Sequence, residues 1–177
     1  MSTRWDFAVY NQHNKLMLAV EVKTRLNTST HWAIQFYRNI FSNTTPTNIP
    51  YFLMTFPDKF YLWVHDGTPN DTDGPTLEIN PQLLLQPYFE QSGVTPEQIS
   101  SASFELIIAA WLNSVIQSLE QDNAHNPTNQ YLYDTGLHNA LAGGTIDYEV
   151  VAWTSMSKPI LFWNLFSSKN NMSIAKK

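Results

Sequence analysis

No cysteine occurs in the chain. That excludes a disulfide framework and a thiolate zinc site, and it suits a cytoplasmic protein, the localisation expected here. Basic residues are scarce. Ten Lys and Arg stand against 15 Asp and Glu, a formal net charge of −5. Broad phosphate coverage needs more cations than this, although a local basic groove can sit on an acidic protein. Long apolar runs are missing too. The longest, Leu106 to Leu112, is far too short to span a bilayer. No signal-peptide pattern opens the chain, so no membrane partner is expected. There is no internal repeat.

Several catalytic signatures are also lacking. Gly143-Gly144 is followed by no Lys-Ser/Thr pair, so it is not a phosphate loop. No Gly-x-Ser-x-Gly elbow presents a serine nucleophile. His13, His31, His65, His125 and His138 are scattered, with no metal-ligand spacing among them. Asp71, Asp73 and Gly74 lack the glutamate that a calcium loop places at its end.

What the chain does have is a core. Its 177 residues are one domain's worth. Apolar residues make up 43%, enough for a sizeable core, and aromatics are abundant at 14%. The expected division is a single domain over residues 1–166 and a flexible, Lys-bearing tail over 167–177.

The most informative stretch is RWDFAVYNQHNKLMLAVEVK, Arg4 to Lys23. Asp6 opens an apolar run that ends at Tyr10. An Asn-rich turn over Asn11 to Lys15 leads to a second apolar run, Leu16 to Val20, and then Glu21-Val22-Lys23. Two such runs around a short polar turn read as a β-hairpin. Side chains alternate along a strand, so Glu21 and Lys23 share a face. Antiparallel pairing sets the start of the first strand beside the end of the second. Asp6, Glu21 and Lys23 are thus expected to converge. Two hard carboxylates suit Mg²⁺ or Mn²⁺, with the Val22 carbonyl as a third protein oxygen. Such a metal would acidify water and steady charge on phosphate. The plain alternative is an edge hairpin with solvated charges at its end.

This pattern resembles the PD-(D/E)xK nuclease superfamily, the restriction-endonuclease-like fold. Asp6 matches the first acid, Glu21 the second and Lys23 the lysine, with 14 residues between the acids. The similarity covers about residues 4 to 65. It implies an α/β fold, with a mixed sheet of α+β character flanked by helices. It also implies divalent-metal-dependent phosphodiester hydrolysis of nucleic acid, DNA first. Asp6, Glu21 and Val22 would hold the metal, Lys23 would position the water, and Gln35 would assist from the following helix. A homodimer is left open. The other reading is a catalytically silent relative that binds a partner protein or regulates one. The family core places a helix and a strand before the Asp strand, and here only five residues precede Asp6, so either the start is truncated or later segments fill the gap. A helix from Pro96 to Leu119 and a strand from Thr145 to Trp153 are the natural substitutes. Glu105 and Glu149 are candidates for the glutamate that the family's first helix sometimes supplies.

The remaining elements follow from pattern. Ser29 or Thr30 caps a helix over His31–Phe41. Strands are expected at Tyr51–Phe56 and Lys59–His65, and a short helix at Pro81–Phe89. Thr95 and Gln98 form a capping box for the long helix, with Pro96 at its first position. Its stripe is Phe104, Ile108, Trp111, Val115 and Leu119. This stripe is expected to cover the sheet face opposite the His31–Phe41 helix. Asp134 is expected to cap a helix running to Ala142.

Overall fold

The hairpin closes on asparagine. Asn11 Oδ1 accepts the N–H groups of His13 and Lys15, each at 3.0 Å. Asn14 takes φ 58°, a left-handed conformation that Asn tolerates better than most side chains. This turn joins β1 (Arg4–Tyr10) to β2 (Leu16–Val22). Pairing runs antiparallel from Phe7↔Val20 to Tyr10↔Leu16, with a slip at Val9/Tyr10. The computed structural model describes residues 4–42, 49–65, 74–118 and 127–151.

From β2 the chain crosses through α1 (Thr30–Ser42) to β3 (Tyr51–Thr55), which lies parallel to β2. Parallel neighbours require such a crossover. Next come β4 (Phe60–Val64) and β5 (Leu77–Ile79), both antiparallel additions. Helices α2 (Gln82–Ser92) and α3 (Ser101–Gln117) follow. Two short helices, α4 (Gln130–Asp134) and α5 (Leu137–Leu141), lead to β6 (Thr145–Val151). β6 pairs antiparallel with β1, and the sheet order is β5-β4-β3-β2-β1-β6. The class is α/β, a six-stranded mixed sheet flanked by helices.

Strand alternation sorts the core into two layers. Leu18, Val20, Leu53 and Leu62 pack with Phe104, Ile108, Trp111 and Val115 of α3. Ala19, Phe52, Met54 and Trp63 pack with Trp32, Phe36, Tyr37 and Phe41 of α1. The long helix therefore covers the face opposite α1, as its stripe implies. Leu119, the last residue of that stripe, lies outside the described residues, as do the Asp71–Asp73 turn and the tail. Trp5 and Phe7 stand two apart yet join opposite layers. Simple alternation is interrupted at Asp6, just beyond the paired stretch of the hairpin.

The larger differences from the sequence reading are at two helix boundaries and one unexpected strand. Thr95–Gln98 forms a single turn, with the Gln98 N–H on the Thr95 carbonyl at 3.0 Å. The helix begins five residues later, because Ser100 is its cap and accepts the Ser103 N–H at 3.1 Å. Asp134 does not cap a helix. It ends α4, and Gly136 at φ 73° precedes α5. A left-handed residue at that point breaks the helix in two. The short strand β5 has only three residues and no alternation long enough to detect.

Gly144 brings β6 against the hairpin. A Cβ at this position would meet the Tyr10 carbonyl oxygen at 2.2 Å. Among the described residues, no helix is long and apolar enough to cross a membrane.

Trp111 is 2% exposed, with its ring 5.4 Å from that of Phe60. Trp111→Ala should destabilise the protein by about 3–5 kcal/mol, read from urea unfolding. A loss below about 1 kcal/mol would mean the helix does not carry the core of that face.

Candidate active site

The site is built where β2 ends. Glu21 and Val22 are paired through β2 to Met54 and Thr55 of β3. The Lys23 N–H continues the ladder to the Thr55 carbonyl at 2.9 Å. The buried Thr55 hydroxyl donates to the Glu21 carbonyl at 3.2 Å. On the other side, Asp6 Oδ2 accepts the Val22 N–H at 2.7 Å. A side chain thus occupies a ladder position where strand β1 would otherwise offer a carbonyl. Both ends of the Glu-x-Lys triplet are held by backbone bonds.

The three side chains meet. Lys23 Nζ donates to Glu21 Oε2 at 2.8 Å and lies 3.6 Å from Asp6 Oδ2. Their exposures are graded. The Glu21 side chain is 6% exposed, while those of Asp6 and Lys23 are 31% and 34% exposed. A ligand would reach Asp6 and Lys23 from solvent and find Glu21 as the floor. The N–H and C=O of one strand residue point to the same side, so the Val22 carbonyl is directed toward β1, beside Asp6.

Burial pushes the Glu21 carboxyl above its ordinary range, and the charge of Asp6 adds to this. The hydrogen bond and charge of Lys23 oppose both. For Lys23, burial works against the ammonium. The hydrogen bond and charge of Glu21, with those of Asp6, outweigh it and leave the pKa raised. The lysine is therefore a cation at neutral pH, and its charge keeps a buried carboxylate ionisable.

Gln35 lies exposed on α1 and makes no hydrogen bond to the trio. Phe36, one position on, does reach it: Lys23 Nζ stands 5.6 Å from the Phe36 ring centroid. The start of α3 comes close as well, with Thr24 Oγ1 and Ser101 Oγ 3.5 Å apart. Glu105, one turn further along α3, is half-buried. The side chain of Glu149 lies outside the described residues. Thr55 and Phe36 were missed from the sequence alone. The one signal for Thr55 was a lone hydroxyl closing the apolar run YFLMT.

Among the described residues no group of three or more His, Cys, Asp or Glu side chains could hold a metal ion. The donor set is two carboxylates and one carbonyl. It suits a hard cation whose remaining ligands are water or phosphate oxygens. No family model matches the chain, and neither curated proteins nor solved structures give a match.

The opposing influences on Glu21 generate a test. Removing the ammonium leaves burial and Asp6 acting alone, so Lys23→Met should move the Glu21 pKa upward. Folded Glu21 then holds its proton more tightly than the unfolded chain does. Its contribution to stability is present below the unfolded pKa and falls as pH rises through the folded one. Carboxyl carbon NMR shifts followed against pH measure this directly. An unchanged or lower Glu21 pKa in the variant would contradict the coupling.

Proposed function

We propose that the chain is a divalent-metal-dependent nuclease of the PD-(D/E)xK type, acting on nucleic acid and on DNA first. One observation carries the reading. Asp6, Glu21 and Lys23, from two strands, meet at one partly open point with Glu21 beneath. Asp6, Glu21 and the Val22 carbonyl would hold Mg²⁺ or Mn²⁺. Such an ion would supply Lewis acidity toward phosphate and a lowered pKa for bound water.

The chain's own residues have separable tasks. Asp6 fixes the end of β2 through the Val22 N–H and presents its exposed oxygen. Glu21 supplies a carboxylate from a low-dielectric floor, where charge interactions are stronger than in water. Lys23 has three donors, and one already serves Glu21. The others can orient a water and offset negative charge as it grows on phosphorus. Gln35 keeps an assisting role toward bound nucleic acid only.

Topology supports the same reading. The hairpin, the helix after it and a parallel third strand occur in the family order. In this proposal α3 and β6 stand for the family's first helix and first strand, and they follow the hairpin instead of preceding it. The fold would then be a circularly permuted restriction-endonuclease-like core. All three site residues come from one chain, so the site itself does not require a homodimer. A cytoplasmic location belongs to this proposal and rests on the absence of cysteine.

A second reading has its own observation. Among the described residues, Lys23 pairs with both carboxylates at once. A silent, partner-binding relative could keep such a trio for strand pairing alone. Cleavage of labelled DNA and RNA with Mg²⁺ or Mn²⁺ decides between the two. Under the nuclease reading, Lys23→Ala lowers turnover by about 100-fold or more. The circular dichroism spectrum stays native, because Glu21 takes up a proton instead of standing as an unpaired buried charge. No cleavage by the parent protein with either metal, or undiminished cleavage by Lys23→Ala, would favour the silent relative.

A further inference from the structure

A ladder of rings and cations runs from the trio to the surface. Phe36 lies near Lys23, with Nζ 5.6 Å from its ring centroid. Trp32 stacks on Phe36, centroids 5.1 Å apart and planes at 19°. The Arg25 guanidinium sits over Trp32, 5.4 Å from the ring centroid. Trp32 is held from another side by Phe56, edge-on at 5.9 Å. The indole is thus fixed in place and half-buried, while Arg25 is exposed. Arg25 makes no ion pair with the described residues.

We infer that Trp32 and Arg25 form a stacking clamp for an unpaired base of a single-stranded nucleic acid, beside the Asp6–Glu21–Lys23 trio. Three features support it. An unpaired guanidinium over a fixed indole has a planar face to offer, and a base can slide onto that pair or replace Arg25 on the ring. The ladder is continuous, so a base held there brings its neighbouring phosphate toward Lys23. The charge balance decides between strand forms. Duplex binding draws its affinity from many phosphate contacts, and this chain has 10 Lys and Arg against 15 Asp and Glu. Lys59, in the turn between β3 and β4, is 3.7 Å from Glu78 and so partly neutralised. Stacking on an aromatic platform needs few cations, because every base has a π-face.

The inference deepens the nuclease reading by naming the form of its substrate, and it rests on that reading only for what happens after binding. The two are therefore tested separately on the full chain. Binding is measured by fluorescence anisotropy in EDTA, with labelled oligo-dT, oligo-rU and a duplex of equal length. The clamp predicts tighter binding to a single strand than to the duplex. The dT and rU arms tell whether DNA or RNA is preferred. Arg25→Glu leaves the core untouched and should weaken single-strand binding about tenfold. Trp32→Ala should weaken it at least as much, with a native circular dichroism spectrum as its control. Tighter duplex binding, or unchanged affinity in Arg25→Glu, would overturn the clamp. Binding without cleavage in Mg²⁺ would sink the nuclease reading and leave the clamp. Cleavage that persists in Arg25→Glu at unchanged KM would do the reverse.

Discussion

Glu21 is a carboxylate built into the floor of a sheet. Its strand has a neighbour on each side and is buried along most of its length. Leaving an ionised group there unpaired would cost several kcal/mol, on the order of 3–5 when a buried partner is lost. Lys23 meets that demand from two residues away, on the same strand, at 2.8 Å. The pairing is local, so it needs no distant element to arrive first. Asp6 then completes the arrangement by taking the Val22 N–H. The end of β2, the entry of β1 and the charge state of the site are thus coupled through one ammonium.

This coupling explains why the site was legible and much of its surroundings was not. A Glu-x-Lys triplet after an apolar run forces both side chains to one face through strand geometry alone. The Asn-rich turn fixes which residue of the preceding strand arrives beside them. Helix α1 was legible through its apolar spacing and through Ser29, whose hydroxyl accepts the Trp32 N–H at 3.2 Å. What pattern could not supply was choice among equal local signals. Thr95 and Ser100 are both good caps, and Ser100 prevails because Ile99, 7% exposed, is anchored in the core just before it. Gly136 offers a helix break that spacing alone does not reveal. Thr55 and Phe36 join the site through tertiary contacts, which leave no mark on short-range periodicity.

The order of elements carries its own lesson. Two apolar faces of a sheet must be covered, whichever part of the chain does it. Here α3 covers the face that α1 does not, and β6 closes the free edge of β1. The hairpin sits in the interior of the sheet, with β3 on one side and β6 on the other. Gly144 permits this by letting β6 approach the Tyr10 carbonyl, where any side chain would collide. Position in the sheet is set by packing, and position in the chain is set separately.

The candidate site lies at one end of the sheet for a topological reason. β2 and β3 are the parallel pair, so both point their carboxyl ends the same way, and the crossover helix begins there. Ligands of open α/β sheets commonly bind outside such ends. Glu21, Val22, Lys23 and Thr55 lie at these ends, and Arg25 follows in the connection to α1. Thr24 meets Ser101 at the start of α3, so a second helix also begins there. The start of α1 lies further along the same end, where the Thr30 hydroxyl bonds Glu78 of β5. The ring ladder and the trio are joined through Lys23, whose Nζ lies 5.6 Å from the Phe36 ring centroid. Under the proposed function, a ligand with both a flat apolar face and a phosphate would use the ladder and the trio together.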